Sequence, residues 1–110
     1  MLNEYRRCAA ICAAIDHSDR RTVKANNRAV TEMYKIVRTA ARSGPVAILE
    51  LAQLLDEPMC GYWLSHQILE CCQVPPDLEK RCLGIISELA KDSLGDQIWL
   101  REYHSLKSRA

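Results

Sequence analysis

The chain has 110 residues, 48% of them hydrophobic and 26% charged, and its 15 Lys and Arg against 14 Asp and Glu leave a formal net charge of +1. That length fits one small domain, 1–110, with its own core, and the composition is too apolar for a disordered chain. No apolar run approaches the roughly 20 residues of a membrane span, and the opening Met1-Leu2-Asn3-Glu4-Tyr5-Arg6-Arg7 lacks the layout of a secretory signal, so a cytoplasmic protein with no membrane partner is expected.

Strand signals are nearly missing: there is no sustained alternation, no Phe, and no Asn-Gly or Asp-Gly hairpin pair. Tyr5, Cys8, Cys12 and Ile15 recur at helical spacing and predict a first helix of about four turns, closed by Asp16-His17-Ser18-Asp19. Val23, Val30, Met33, Tyr34, Val37 and Ala41 then trace one stripe from Asp19 to Arg42, a helix on the order of 35 Å long. Ser43-Gly44-Pro45 ends it, with Gly44 suited to a left-handed C-terminal position. Pro45 fits the first turn of a third helix carrying Ile48, Leu51, Ala52 and Leu55 on one face.

Asp56-Glu57-Pro58 breaks that helix, and a fourth runs to about Gln73 with Leu64, Ile68, Cys71 and Cys72 inward, stopped by Val74-Pro75-Pro76. Leu78, Cys82, Ile85 and Leu89 line a fifth. Ser93-Leu94-Gly95-Asp96 leads into a last helix containing Ile98, Trp99, Tyr103 and Leu106. The breaks are short, which makes consecutive helices antiparallel neighbours. The expected fold is all-α: about six antiparallel helices stacked as a short right-handed superhelix.

The neutral total hides a division. Residues 1–44 carry nine basic and four acidic side chains, whereas residues 45–110 carry six and ten. Between Arg42 and Lys80 stand Glu50, Asp56, Glu57, Glu70, Asp77 and Glu79 with no Lys or Arg among them. The domain thus reads as a basic helical hairpin over 1–43 followed by acidic hairpins over 44–110, a polarity that bears on partners more than on fold.

The six cysteines include no CxxC pair. Cys8 and Cys12 share a helix face with Ala9, Ala10, Ile11 and Ala13, a packing environment, so the thiols are expected to be reduced, unpaired and inside, with no metal or cofactor. Catalytic signatures are thin as well. GxGxxG, GxxxxGK[ST], HExxH and GxSxG do not occur, and His17, His66 and His104 are scattered. His66, Glu70 and Cys71 could be drawn as a Cys-His site on one helix face, though nothing supplies an orienting group or oxyanion hole. No enzymatic activity is expected.

The stretch from Ile48 to Pro58, Ile-Leu-Glu-Leu-Ala-Gln-Leu-Leu-Asp-Glu-Pro, followed by an apolar helix and a proline break, resembles one HEAT-type repeat. Lys24-Ala25-Asn26-Asn27-Arg28, Glu88-Leu89-Ala90-Lys91 and Leu100-Arg101-Glu102-Tyr103 follow the same resemblance in order, which points to a family of small bacterial HEAT-like domains of uncharacterised function. Members stand beside polymorphic or contact-dependent toxins, so the resemblance implies an immunity protein that binds and neutralises a cognate toxin domain. Two departures stand out. A Val-Arg pair usually follows the turn, its Arg bonding back to it, and Tyr62-Trp63 occupies the nearest positions here. Tyr103 stands where Trp is more frequent. Asn27, inside a helix, is expected to tie to a neighbouring helix.

On this reading the chain is a non-enzymatic partner-binding domain. Glu50, Asp56, Glu57, Glu70, Asp77 and Glu79 would meet a positively charged surface, such as the substrate cleft of a nuclease toxin, with Tyr62 and Trp63 as buried anchors. The alternative is nucleic-acid binding along the second helix, where Arg21-Lys24-Arg28 and Lys35-Arg38-Arg42 fall at spacings of three and four, with Arg20 beside them. The acidic half and the pI near 7.6 weigh against it.

Overall fold

The structure, a computed structural model, describes residues 1–109; Ala110 lies outside the described residues. Six helices follow in order: α1 (Leu2–Ala13), α2 (Arg20–Ser43), α3 (Pro45–Ala52), α4 (Pro58–Cys71), α5 (Pro76–Ala90) and α6 (Leu94–Arg109), with a 3-10 turn over Gln53–Asp56. No strand occurs among the described residues. The punctuation is local chemistry. Proline opens α3, α4 and α5, where its missing N–H would have had no helical partner anyway. Asp19 caps α2 by accepting the Arg21 N–H at 2.9 Å. Before it, Thr22 Oγ accepts the Asp16 N–H at 2.9 Å and Asp16 accepts from Ser18 at 2.7 and 3.0 Å, a knot that ends α1 at Ala13, earlier than its apolar spacing predicts. Gly44 sits at φ 112°, backbone that favours glycine, so α2 stops and α3 starts across one residue.

The helices share one core. α1 packs on α2 and α4, α2 on α3 and α4, α4 on α5, and α5 on α6. Tyr5, Met33, Leu51, Leu54, Leu64, Ile68 and Ile86 are fully buried in it. The Tyr5 hydroxyl donates to Gln67 Oε1 at 2.6 Å, a buried bond that fastens α1 to α4. Burial pushes the Tyr5 phenol above its ordinary value, which keeps it a donor. Gly61 permits the tightest approach: a Cβ there would lie 2.7 Å from the Leu55 carbonyl oxygen, so α4 packs directly on the backbone of the 3-10 turn.

Several faces differ from the sequence expectation. On α5 the buried side is Leu78, Cys82, Ile86 and Ala90, while Ile85 and Leu89 are only half-buried. On α6, Ile98 and Leu106 are exposed, Trp99 and Tyr103 half-buried, and the buried polar residue is Asp96. A terminal helix covered by one main neighbour has a narrow inner face, and aromatic rings occupy it. Cys8, Cys12, Cys60 and Cys82 are buried, Cys71 and Cys72 half-buried, and all six are free thiols. Burial raises them, Cys72 and Cys82 to about 11. Asn27 makes no tie to another helix: it is exposed, and its carbonyl accepts Thr31 Oγ at 3.1 Å.

Candidate functional site

The acids between Arg42 and Lys80 differ in their partners: four are engaged by other helices and two are free among the described residues. Glu57, at the start of α4, receives the Arg6 guanidinium as a fork, with Nε at 3.0 Å from both oxygens and Nη2 at 2.8 Å. These bonds hold its carboxyl below the ordinary glutamate value. Asp56 pairs with Arg81 at 2.7 Å. The Asp56-Glu57 turn is therefore held by two arginines, one from α1 and one from α5. Glu79 takes Lys107 at 2.8 Å and the Tyr103 hydroxyl at 2.6 Å, which lower its carboxyl in that order. Glu70 accepts the Tyr34 hydroxyl at 2.8 Å and the Trp99 indole N–H at 3.3 Å. Glu50 and Asp77 are exposed and have no hydrogen bond or ion pair among the described residues.

The two anchor residues also part company. Tyr62 is 40% exposed, whereas Trp63 is half-buried against the core with its ring 5.5 Å from that of Tyr62, edge-on. Beyond them runs a row that the sequence reading did not assemble. Tyr62, His66, Trp99, Tyr103 and His104 follow ring to ring at 5.1, 4.8, 5.2 and 5.9 Å, Trp99 lying parallel to Tyr103 within 8°. This row is the seam between α4 and α6. Its signal was two aromatic pairs four residues apart, Tyr62/His66 and Trp99/Tyr103, each on one helix face.

His66 is the polar centre of the seam. Its Nδ1 stands 2.8 Å from the Tyr62 carbonyl and its Nε2 2.9 Å from Asp96 Oδ1. A carbonyl can only accept, so Nδ1 is the donor in the first of these bonds. Asp96 in turn donates its backbone N–H to Ser93 Oγ at 3.2 Å, the N-cap bond of α6. Asp96, in the segment that leads into the last helix, is thus its buried tie. With both ring nitrogens spent, His66 forms no pair with Cys71, whose thiol burial raises.

Two grooves flank α4. The one against α5 has a volume of about 580 Å³, with Leu55, Ile85 and Leu89 along it, Tyr62 as a wall, and Arg81 and Glu88 also lining it. Gly84 opens it further, since nothing lies within 4 Å of where its Cβ would be. The groove against α6, about 510 Å³, is lined by Leu69, Trp99, Tyr103 and Leu106 with Glu70 and Glu102. Both match the size of slots that take a ligand or a partner side chain. On α2 all seven cations are exposed. No helix among the described residues is long and apolar enough to cross a membrane. Compared with family models, curated proteins and solved structures, the chain matches none.

Proposed function

We propose that this chain is a protein-binding domain that docks a positively charged protein partner through residues 45–79. The observation that carries the reading is the exposure of four large apolar side chains, Val46 at 79%, Leu49 at 55%, Met59 at 54% and Tyr62 at 40%, within a stretch that holds acids and no Lys or Arg. Aromatic and Met side chains are what interface cores are enriched in, and they supply affinity. The unpaired carboxylates of Glu50 and Asp77 supply attraction and on-rate. Tyr62 lines the groove against α5, so a partner side chain entering there would meet Ile85 and Leu89.

The HEAT-like resemblance extends the proposal: the six helices form a short stack of antiparallel hairpins in a right-handed superhelix, and the partner is a cognate toxin domain, its positive substrate cleft covered by this surface. The test is co-expression with the polypeptide encoded beside this chain. A one-to-one complex that restores growth, and its loss on L49E/Y62E with helicity retained, is the expected outcome. Absence of a complex together with absence of growth rescue overturns the reading.

A further inference from the structure

Helix α2 carries Arg20, Arg21, Lys24 and Arg28 in its first half and Lys35, Arg38 and Arg42 in its second. At 100° per residue all seven project within an arc of about 100°, opposite the buried residues Ala29, Met33, Val37 and Ala40. Every one is exposed, and none enters an ion pair among the described residues, where carboxylates pair instead with Arg6, Arg7, Arg81, Lys91, Lys107 and His66. The single acid of α2, Glu32, sits half-buried at the edge of the stripe between Arg28 and Lys35.

This arrangement opposes the helix that bears it. Arg20/Lys24, Arg21/Lys24, Lys24/Arg28, Lys35/Arg38 and Arg38/Arg42 are like charges three or four residues apart, each weakening the helix. Arg20 and Arg21 occupy the first turn, where the macrodipole favours acids, and no acid is present there. Along the helix only the N-cap Asp19 and Glu32 stand against these seven charges, and a polyanion would offset the rest.

The two clusters identify which one. The gap in the cation stripe from Arg28 to Lys35, where the half-buried Glu32 is the one charge, spans about 10 Å of helix, close to the roughly 12 Å width of a B-form major groove. Only small polar side chains, Thr31 and Asn27, are exposed on that side, and Tyr34 is held half-buried by its bond to Glu70, so no ring is offered for stacking single-stranded bases. We propose that α2 binds the phosphate backbone of a nucleic-acid duplex without reading its sequence, one cation cluster on each wall of a groove. The acids of 43–79 offset this field only in part, because three of the six carboxylates are already paired with Arg6, Arg81 and Lys107 within the domain.

The test is fluorescence polarisation with labelled 20-base-pair DNA and RNA duplexes across a salt series, using the wild type, R20Q/R21Q/K24Q and K35Q/R38Q/R42Q. Gln is a good helix former and the sites are exposed, so both variants fold, which circular dichroism verifies. Seven phosphate contacts give a log–log salt slope of about −6, and each triple variant about −4. The duplex bound more tightly names the source. Three results would overturn the proposal: no binding to either duplex at 50 mM salt, a slope unmoved by both variants, or equally tight binding of polyglutamate, which would reassign the stripe to an acidic protein.

Discussion

The stretch from 43 to 79 and helix α2 carry charge of opposite sign, and they treat it in opposite ways. The acids of the first are drawn into the fold, Glu57 by Arg6, Asp56 by Arg81, Glu79 by Lys107 and Tyr103, and Glu70 by Tyr34 and Trp99. The cations of the second stay exposed and outside every ion pair among the described residues, Arg38 resting over the Tyr34 ring at 5.3 Å and Arg42 donating to Thr39 Oγ at 3.4 Å. Counting residues makes the two regions look symmetric, nearly balanced around the net charge of +1. Counting partners does not: four of the six acids are engaged within the fold, whereas none of the seven cations of α2 enters an ion pair among the described residues.

Substitutions test that contrast. The largest effect is expected at the most deeply engaged carboxylate. H66A leaves Asp96, 4% exposed, without its imidazole partner and should cost about 3 kcal/mol in denaturant unfolding; a loss under about 1 kcal/mol would mean the pair contributes little. G84A should act oppositely, stabilising by about 1 kcal/mol because the new methyl meets nothing, while narrowing the groove beside Tyr62 and weakening partner capture there. K24Q removes like-charge contacts with Arg20, Arg21 and Arg28 and should raise stability by about 0.5–1 kcal/mol at low salt. That gain should shrink as salt screens the helix.

The acid side responds to pH. Glu57 and Glu79 have carboxyls lowered in the fold below the ordinary 4.5, so the stability they add is complete above that value. It is lost as pH falls through their depressed values. Unfolding followed from pH 6 downward should show this decline, and E57Q/E79Q should flatten it. A slope identical in the double variant would show that the bonds to Arg6 and Lys107 add no stability.

Much of the fold was legible because its signals are local. Pro45, Pro58 and Pro76 begin helices and Gly44 separates two of them, and each acts through its own backbone. The inner faces of α5 and α6 were not. An apolar stripe with Ile85 beside Ile86 admits two registers, and only the position of α4 selects Ile86 for the core. The candidate site was legible in residue type but not in state. Sequence shows Glu57 and Glu70 as charges; that one is clasped from α1 and the other bonded from α2 and α6 depends on contacts 51, 36 and 29 residues away. The Asp96–His66 tie, 30 residues apart, was hidden for the same reason.

The buried bond between Tyr5 and Gln67 spans 62 residues and therefore also sets a clock. A ribosome adding about 5–20 residues per second releases α1 roughly 3–12 s before the glutamine that completes it. During that interval α1 can rest on α2, but the side chain that will be the most enclosed ring of the protein has no acceptor for its hydroxyl. The first helix made is not finished until the fourth has emerged.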